Sequence, residues 1–269
     1  MTFDVATFTS LWLVTFLCCA LLTTALSRTF AQVVAFRFWA VAFFLNAGSA
    51  ACVFAHLTWH SNVLSVLAAT LALQCRLLLW AGLRKLLGSR APWRTGLALS
   101  LLFCALYAGM LAFHVPILWR AALLALFFLP YRIGTLYEVW RPRRGKLGPA
   151  RSIATIGGVI ACFNSTLPFL LALANRSHLS LLLGSPQTMS ALYAFVFAGD
   201  LLLASGLLVL AFKLLSVERN MLATLDRSAS AQLAASRTLR ALQRRRDRLA
   251  HVYGQHDGIT HPQPLSWNV

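Results

Sequence analysis

The sequence predicts an all-α integral membrane protein, a bundle of seven transmembrane helices with the N-terminus outside, the C-terminus inside and a cytoplasmic helix after the last span. Composition is the first observation behind this prediction: of 269 residues, 59% are hydrophobic and 12% are charged, against about 25% charged in a typical soluble domain. The mean hydropathy is +0.70. The apolar residues fall in seven stretches of roughly 20 residues, the length that crosses a bilayer. The loops between these stretches alternate between basic and nearly uncharged.

The predicted spans cover residues 7–27, 36–58, 63–86, 95–114, 117–138, 152–174 and 189–214, which together make up a membrane domain, 1–215. The first span follows Met1-Thr2-Phe3-Asp4, with no Lys or Arg ahead of it. Because a signal peptide has a positively charged n-region, we expect a retained helix with its N-terminus outside. In the second span, residues 47–51 are all Ala, Gly or Ser, which favours close approach of a neighbouring helix.

Basic residues in the loops predict the orientation. The first, third and fifth loops and the segment after the last span carry most of them, whereas the second and fourth loops carry none and the sixth carries only Arg176. This positive-inside pattern predicts a multi-pass protein of the cell's inner (plasma) membrane with a cytoplasmic C-terminus. Twenty of the 24 Lys and Arg lie on the predicted cytoplasmic side, where they face anionic lipid. The lipid bilayer is therefore the expected partner of the net charge of +17, and we expect no nucleic-acid binding.

Prolines interrupt the fifth and sixth spans, at Pro130 and Pro168. Proline removes one backbone hydrogen bond, and upstream polar residues can satisfy the freed carbonyl groups. We therefore expect bends, and candidate hinges, at both positions. In the sixth span the polar run Asn164-Ser165-Thr166 precedes Pro168, so this helix either lines a small cavity or is an ordinary distorted helix.

Three ionisable residues lie near mid-depth in the predicted spans: Arg76 in the third, Arg132 in the fifth and Asp200 in the seventh. Charged residues at this depth usually face the bundle interior and have partners. We therefore predict an intramembrane polar network in which Asp200 pairs with Arg76 or Arg132, with Asn164 as a further member. Such a pair either fixes helix packing or forms a proton- or ligand-linked switch.

The segment after the last span, 216–253, contains no Gly or Pro and is rich in Ala, Leu and Arg, which predicts a basic cytoplasmic helix. Its apolar residues form a broken heptad-like stripe, weakened at Ser228 and Ser236, whereas a strict coiled coil keeps such positions apolar. The expected partner is a second copy, in a homodimer through 216–253, or a separate cytoplasmic signalling protein. Residues 254–269 contain two glycines and two prolines and are expected to be a disordered tail.

No catalytic motif occurs in the sequence. H-E-x-x-H, a P-loop, a Gly-rich dinucleotide loop and G-x-S-x-G are all absent. The six cysteines fall in apolar stretches without C-x-x-C spacing, as buried hydrophobic residues do. Near the predicted outer ends of spans lie His56, His60, His114 and His178, either as ordinary interfacial residues or as a pH- or metal-responsive group. We expect no enzyme, no cofactor and no metal site.

Two motifs resemble a known family. The second span opens with Phe36-Arg37-Phe38-Trp39-Ala40, and the third ends with Trp80-Ala81-Gly82-Leu83-Arg84-Lys85-Leu86-Leu87-Gly88-Ser89-Arg90. These stretches resemble the R-x-W-A and W-x-G-L-R-x-L-x-G-R-like motifs of the N-terminal membrane modules that precede many bacterial diguanylate cyclase (GGDEF) domains. The exit from the last span, Leu215-Ser216-Val217-Glu218-Arg219, is similar to the helix that leads to the output domain in such proteins. The resemblance implies a seven-helix membrane sensor module.

The sequence departs from this family after the exit helix. Asp257-Gly258-Ile259-Thr260 resembles the opening of the cyclase domain, and Arg246-Asp247-Arg248-Leu249-Ala250 is similar to the start of a histidine-kinase dimerisation helix, with different spacing. No GGDEF motif or kinase ATP site follows. We therefore expect a sensory or signalling module without its own catalytic output domain. The alternatives are a small-solute transporter or channel, and a truncated, non-catalytic remnant of a sensor diguanylate cyclase or histidine kinase.

Overall fold

The computed structural model describes residues 5–141, 148–174 and 186–256, and all regular secondary structure in these ranges is helical. The helices are α1 (Val5–Thr29), α2 (Val34–Trp59), α3 (Asn62–Leu86), α4 (Trp93–Ala112), α5 (Ile117–Trp140), α6 (Gly148–Ala174) and α7 (Pro186–His256). Each of the seven contains a stretch long and apolar enough to cross a membrane. In the described ranges, the predicted all-helical fold with seven membrane-length apolar helices is confirmed.

Two compact units divide the chain, residues 1–213 and 214–269. The first unit holds α1 to α6 and the apolar part of α7. In this unit α2 contacts both α1 and α3, α3 also contacts α4 and α5, and α5 contacts α6. α7 packs against α1 through the ring of Phe197 and against α2 through the ring of Phe212. The second unit is described as far as the end of α7.

Apolar side chains fill the inside of the first unit and also cover its outside. The largest fully buried side chains are aromatic, among them Trp39, Phe16, Phe36, Phe43 and Phe103. On the outside, Leu126 is 68% exposed and Leu101 is 66% exposed. Soluble monomers rarely expose large contiguous apolar patches, so this surface is suited to contact with lipid.

The helix α4 ends at Ala112, within the predicted fourth span, 95–114. His114 has φ of 51°, the left-handed conformation that ends many helices. The N–H of Val115 donates to the carbonyl oxygen of Met110 at 2.9 Å, as in a Schellman cap. A proline follows Val115, and helical conformation is disfavoured in the residue before a proline.

Helices α5 and α6 are helical through Pro130 and Pro168. A proline has no backbone N–H, so neither Pro130 nor Pro168 can donate a hydrogen bond to the carbonyl group four residues before it. For Pro168 that carbonyl group belongs to Asn164. Nearby, the hydroxyl of Ser165 donates to the carbonyl oxygen of Ala161 at 3.1 Å. The expected hinges at the two prolines stay predictions, because one helical stretch is compatible with either a rigid or a bending element.

Small residues set two close contacts between helices. From the small-residue run of α2, Ser49 donates from Oγ to the carbonyl oxygen of Ala68 in α3 at 2.8 Å. At the crossing of α6 and α7, a Cβ atom on Gly157 would lie 2.6 Å from the backbone nitrogen of Leu203. No side chain fits in that gap, so glycine allows α7 to lie directly against α6. This contact helps to position Asp200, which precedes Leu203 by three residues.

Several predicted features lie outside the described residues. They are the N-terminal residues 1–4, the middle of the basic fifth loop at 142–147, the sixth-loop residues 175–185 and the tail from 257 onward. The helix α7 extends to His256, so residues 254–256 of the expected tail are helical instead. A single glycine at 254 does not end the helix, since glycine in a helix interior costs only about 1 kcal/mol relative to alanine.

Candidate functional site

Asp200 of α7 lies between two arginines from other helices. Arg132 of α5 donates a hydrogen bond from Nη2 to Oδ1 of Asp200. Nη2 of Arg76, from α3, lies 3.8 Å from the other carboxylate oxygen, Oδ2. All three side chains are buried, with exposed fractions of 3% for Arg132, 8% for Arg76 and 7% for Asp200. The sequence left open which arginine pairs with Asp200, and the structure brings both of them to the carboxylate.

This cluster of Arg76, Arg132 and Asp200 holds two positive charges and one negative charge. Arg76 has further contacts: Nη1 donates to the carbonyl oxygen of Ala72 at 2.7 Å, and its guanidinium carbon lies 4.4 Å from the ring centroid of Phe128, within cation–π range. The Nε atoms of both arginines are buried without a hydrogen-bond partner. Because uncompensated buried charge is costly, a change of one charge here should alter the stability of the bundle.

The cluster connects three helices, α3, α5 and α7, through one residue from each. α3 and α5 contact each other directly, and their arginines lie on the facing sides. Asp200 reaches both from α7, whose close crossing with α6 at Gly157 brings its backbone into the bundle. The ion cluster therefore joins helices that are far apart in sequence.

Asn164 of α6 lies next to the cluster but bonds to a backbone group. Its Nδ2 donates to the carbonyl oxygen of Phe195 in α7 at 3.1 Å, and a side chain on Gly199 would collide with it. Its Oδ1 is buried without a hydrogen-bond partner. Asn164 therefore joins α6 to α7 beside Asp200 and does not bond to the two arginines.

The two candidate hinge prolines occupy different surroundings. Pro130 lines an apolar groove between α5 and α6 and precedes Arg132 by two residues. Pro168 follows Asn164 by about one helical turn and is partly buried. Each proline is thus about one turn or less along its helix from a residue of the predicted polar network.

A second ion pair between α3 and α5 was missed by the sequence reasoning. Nε of Arg84 lies 3.4 Å from Oε1 of Glu138, an ion-pair distance without aligned hydrogen-bond geometry, and Glu138 is buried. The guanidinium of Arg84 also lies 5.1 Å from the ring centroid of Trp80. Spacing could have revealed the pair, because Arg84 is eight residues after Arg76 and therefore lies about two turns along the same face of α3.

The two motifs that resemble cyclase membrane modules pack against each other. Nε1 of Trp39 donates to the carbonyl oxygen of Leu79 at 3.1 Å. A Cβ atom on Gly82 would lie 2.5 Å from that Nε1 atom, so the glycine makes room for the buried indole. On the other side of α3, Trp80 packs against Gly134 of α5. In this chain the motif residues therefore act in helix packing.

Histidines and cysteines form no metal-binding group in the described part of the chain. Nδ1 of His56 hydrogen-bonds with the carbonyl oxygen of Ser61 at 2.9 Å, while His60 and His114 adopt left-handed φ angles at helix ends. These three histidines lie in or near the turns that end α2 and α4. His178 lies outside the described residues.

In comparisons with known proteins, no protein-family model, no curated protein and no solved structure matches the chain. The fold and the cluster define a class in physical terms, that of all-helical proteins with seven apolar helices able to cross a membrane and a charged cluster buried between three of them. The resemblance to diguanylate cyclase membrane modules stays a hypothesis.

Proposed function

We propose that this chain is a membrane sensory or signalling module, which passes a membrane or small-ligand signal through α7 to its cytoplasmic segment. One observation carries the proposal. Asp200, held by two buried guanidinium groups, belongs to the same helix as the basic segment that follows the membrane domain. A rearrangement at the cluster would therefore act on the element that leads out of the membrane.

The cluster has the features of a two-state element. Asp200 has one hydrogen-bonded partner, Arg132, and one more distant partner, Arg76 at 3.8 Å. A small rotation or translation of α7 would exchange the shorter contact for the longer one. A stimulus shifts such an equilibrium only when it favours one arrangement over the other, so a ligand or a lipid change that acts on α3 or α5 would be transmitted to α7.

The proposal places the N-terminus outside and the C-terminus in the cytoplasm of a bacterial cell, with the protein in the inner (plasma) membrane. The basic odd-numbered loops and the basic segment after residue 215 support this orientation through the positive-inside rule. The motifs at 36–40 and 80–90 support kinship with cyclase sensor modules, and their role in packing α2, α3 and α5 is compatible with such a kinship.

The test asks whether the cluster controls the cytoplasmic segment. Spin labels would be placed at Arg90, in the loop after α3, and at Leu225 of α7, in a background with the six native cysteines replaced. The distance between the labels would be measured in membranes for the parent protein and for Asp200→Asn. We expect a shifted or broadened distance distribution in Asp200→Asn, because the carboxylate that holds α7 against α3 and α5 has lost its charge.

The matched control is Asp226→Asn, which removes the same charge from an exposed position of α7 and should leave the distribution unchanged. Arg132→Lys keeps the charge of the cluster and should give a smaller shift than Asp200→Asn. An unchanged distribution in a folded Asp200→Asn protein would contradict the signalling proposal and would favour small-solute transport.

A further inference from the structure

The cluster of Arg76, Arg132 and Asp200 carries more positive than negative charge. Two guanidinium groups lie against one carboxylate, so the three charges sum to plus one. The sequence from 5 to 213 contains one other acidic residue, Glu138. It follows Arg132 by six residues and therefore lies about 9 Å further along α5. Within this part of the chain, Asp200 is the carboxylate that contacts the two buried arginines.

Both arginines also have N–H groups without an acceptor in the described part of the chain. A guanidinium group has five N–H donors. Arg132 donates to Asp200 and Arg76 donates to the carbonyl oxygen of Ala72, whereas the Nε atom of each arginine is buried without a hydrogen-bond partner. Unsatisfied donors of a buried charged group are costly. These N–H groups therefore favour an acceptor that belongs to a bound ligand.

The cluster is nearly closed, which limits the size of such a ligand. Arg76 and Asp200 have exposed fractions of 8% and 7%, so a small part of each side chain still touches its surroundings. The ring of Phe128 covers one face of the Arg76 guanidinium, with its centroid 4.4 Å from the guanidinium carbon. Polar contact with a ligand is left to the edge of the guanidinium, where the N–H groups point. This arrangement suits a ligand of a few atoms.

We propose that the cluster binds one small monovalent anion, such as chloride or formate, which accepts hydrogen bonds from Arg76 and Arg132. Both guanidinium groups lie against the same carboxylate, so one small anion beside Asp200 can contact both. A single negative charge brings the sum of the charges to zero, whereas a divalent anion such as sulfate would reverse its sign. The inference assigns a ligand class to the site of the signalling proposal, and it rests on that proposal only for the effect of the anion on α7.

The experiment measures the NMR line width of chloride in a solution of the full chain in nonionic detergent. Chloride that exchanges with a protein site gives a broadened line, and an anion that displaces it narrows the line again. We expect formate to remove the broadening and sulfate at the same ionic strength to leave most of it. Displacement by formate at concentrations below that of chloride would identify a carboxylate, with two oxygens to match a guanidinium edge, as the preferred ligand. Displacement only at higher concentrations would identify a halide.

Two variants and a matched control assign the binding to the cluster. Arg76→Met should weaken chloride binding by about tenfold, because the anion loses a hydrogen bond from a charged donor. Asp200→Asn should strengthen chloride binding by about tenfold, because a like charge beside the anion is removed. The control Arg90→Gln removes a positive charge from an exposed position in the loop after α3 and should leave the broadening that formate displaces unchanged.

Equal broadening by the parent protein and by Arg76→Met would overturn the proposal, and so would a folded Asp200→Asn protein without a gain in chloride affinity. If Asp200→Asn does not fold, the comparison of the parent protein with Arg76→Met decides by itself. The line width involves no readout from the cytoplasmic segment. If chloride binds as expected but Asp200→Asn leaves the spin-label distance unchanged, the signalling proposal fails and the anion site stands. If the distance shifts but chloride does not bind, the anion site fails and the signalling proposal stands.

Discussion

Among the individual residues, the charge balance around Asp200 has the largest expected effect on stability. Arg132 donates to the carboxylate directly, whereas Arg76 lies 3.8 Å away and is also held by the Ala72 carbonyl group and the Phe128 ring. Loss of the carboxylate would leave two buried guanidinium groups without a counter-charge. Loss of Arg76 would leave the neutral pair of Arg132 and Asp200. The three members of the cluster should therefore differ in their contributions.

We predict that Asp200→Asn destabilises the protein most, Arg132→Met less and Arg76→Met least. Removing one partner of a buried ion pair costs about 3–5 kcal/mol in soluble proteins, and that range is the expectation for Asp200→Asn. For Arg76→Met we expect about 1 kcal/mol or less, near the average of interhelical polar contacts in membranes. Thermal unfolding in detergent micelles, followed by circular dichroism, measures the order. A loss for Arg76→Met as large as that for Asp200→Asn would contradict the proposed charge balance.

The sequence predicted a polar network that includes these three residues but did not determine which arginine pairs with Asp200. Hydropathy places Arg76, Arg132 and Asp200 near mid-depth because each interrupts an apolar span, yet depth alone does not say which helix faces which. The pair of Arg84 and Glu138 was missed for a related reason. Both residues lie near span ends beside basic loops, where a charged side chain can reach water and needs no partner.

At the scale of helices, the crossing of α6 and α7 depends on glycine. A Cβ atom on Gly157 would meet the backbone of α7 at Leu203, and one on Gly206 would lie 2.6 Å from Cα of Ala154 in α6. Backbone atoms cannot rotate away as side chains can, so larger residues at these positions force the helices apart. Close packing of this kind provides much of the association energy of membrane helices.

We predict that Gly157→Ala destabilises the protein by about 1–3 kcal/mol, the usual cost of overpacking, and weakens the contact that positions Asp200. The neighbouring Gly158→Ala is the matched control. Its added Cβ would lie 3.1 Å from Cδ1 of Leu136, the flexible end of a side chain that can move aside. The thermal unfolding midpoints of both variants measure their losses of stability. Equal losses of stability in the two variants would show that the crossing of α6 and α7 is looser than described.

The helices themselves were predictable because a membrane span must satisfy its backbone hydrogen bonds internally. An apolar stretch of sufficient length therefore almost always forms one helix, and all seven were found in order. The exact end of α4 was beyond the sequence, because Phe113 and His114 are compatible with a span, whereas the left-handed conformation of His114 depends on the turn into α5. Which helices contact one another was beyond the sequence, since apolar faces look alike in a nearly uniform composition.

At the scale of the whole molecule, the second unit carries exposed apolar side chains on α7. No other described part of that unit packs against them. Met221, Leu225, Leu239 and Leu242 have exposed fractions between 59% and 66%. With positions 228, 232 and 235 they follow alternating steps of four and three residues, the spacing of a coiled-coil seam. The polar Ser228 and Gln232 at two seam positions would lower stability and fix the register of two paired helices.

We predict that this seam pairs with the same seam of a second copy in membranes. Single cysteines would be placed at each position from 217 to 242, in a background with the native cysteines replaced, and oxidative cross-linking would be measured. Cross-linking should peak at Met221, Leu225, Leu239 and Leu242, because seam side chains face each other across a parallel dimer, and should be lowest at Ala223, Ser230 and Arg237 on the opposite face. Uniformly weak cross-linking would indicate a monomer. The signal proposed to pass through α7 would then have to act on a separate cytoplasmic partner, because movement between two copies would no longer be available as an output.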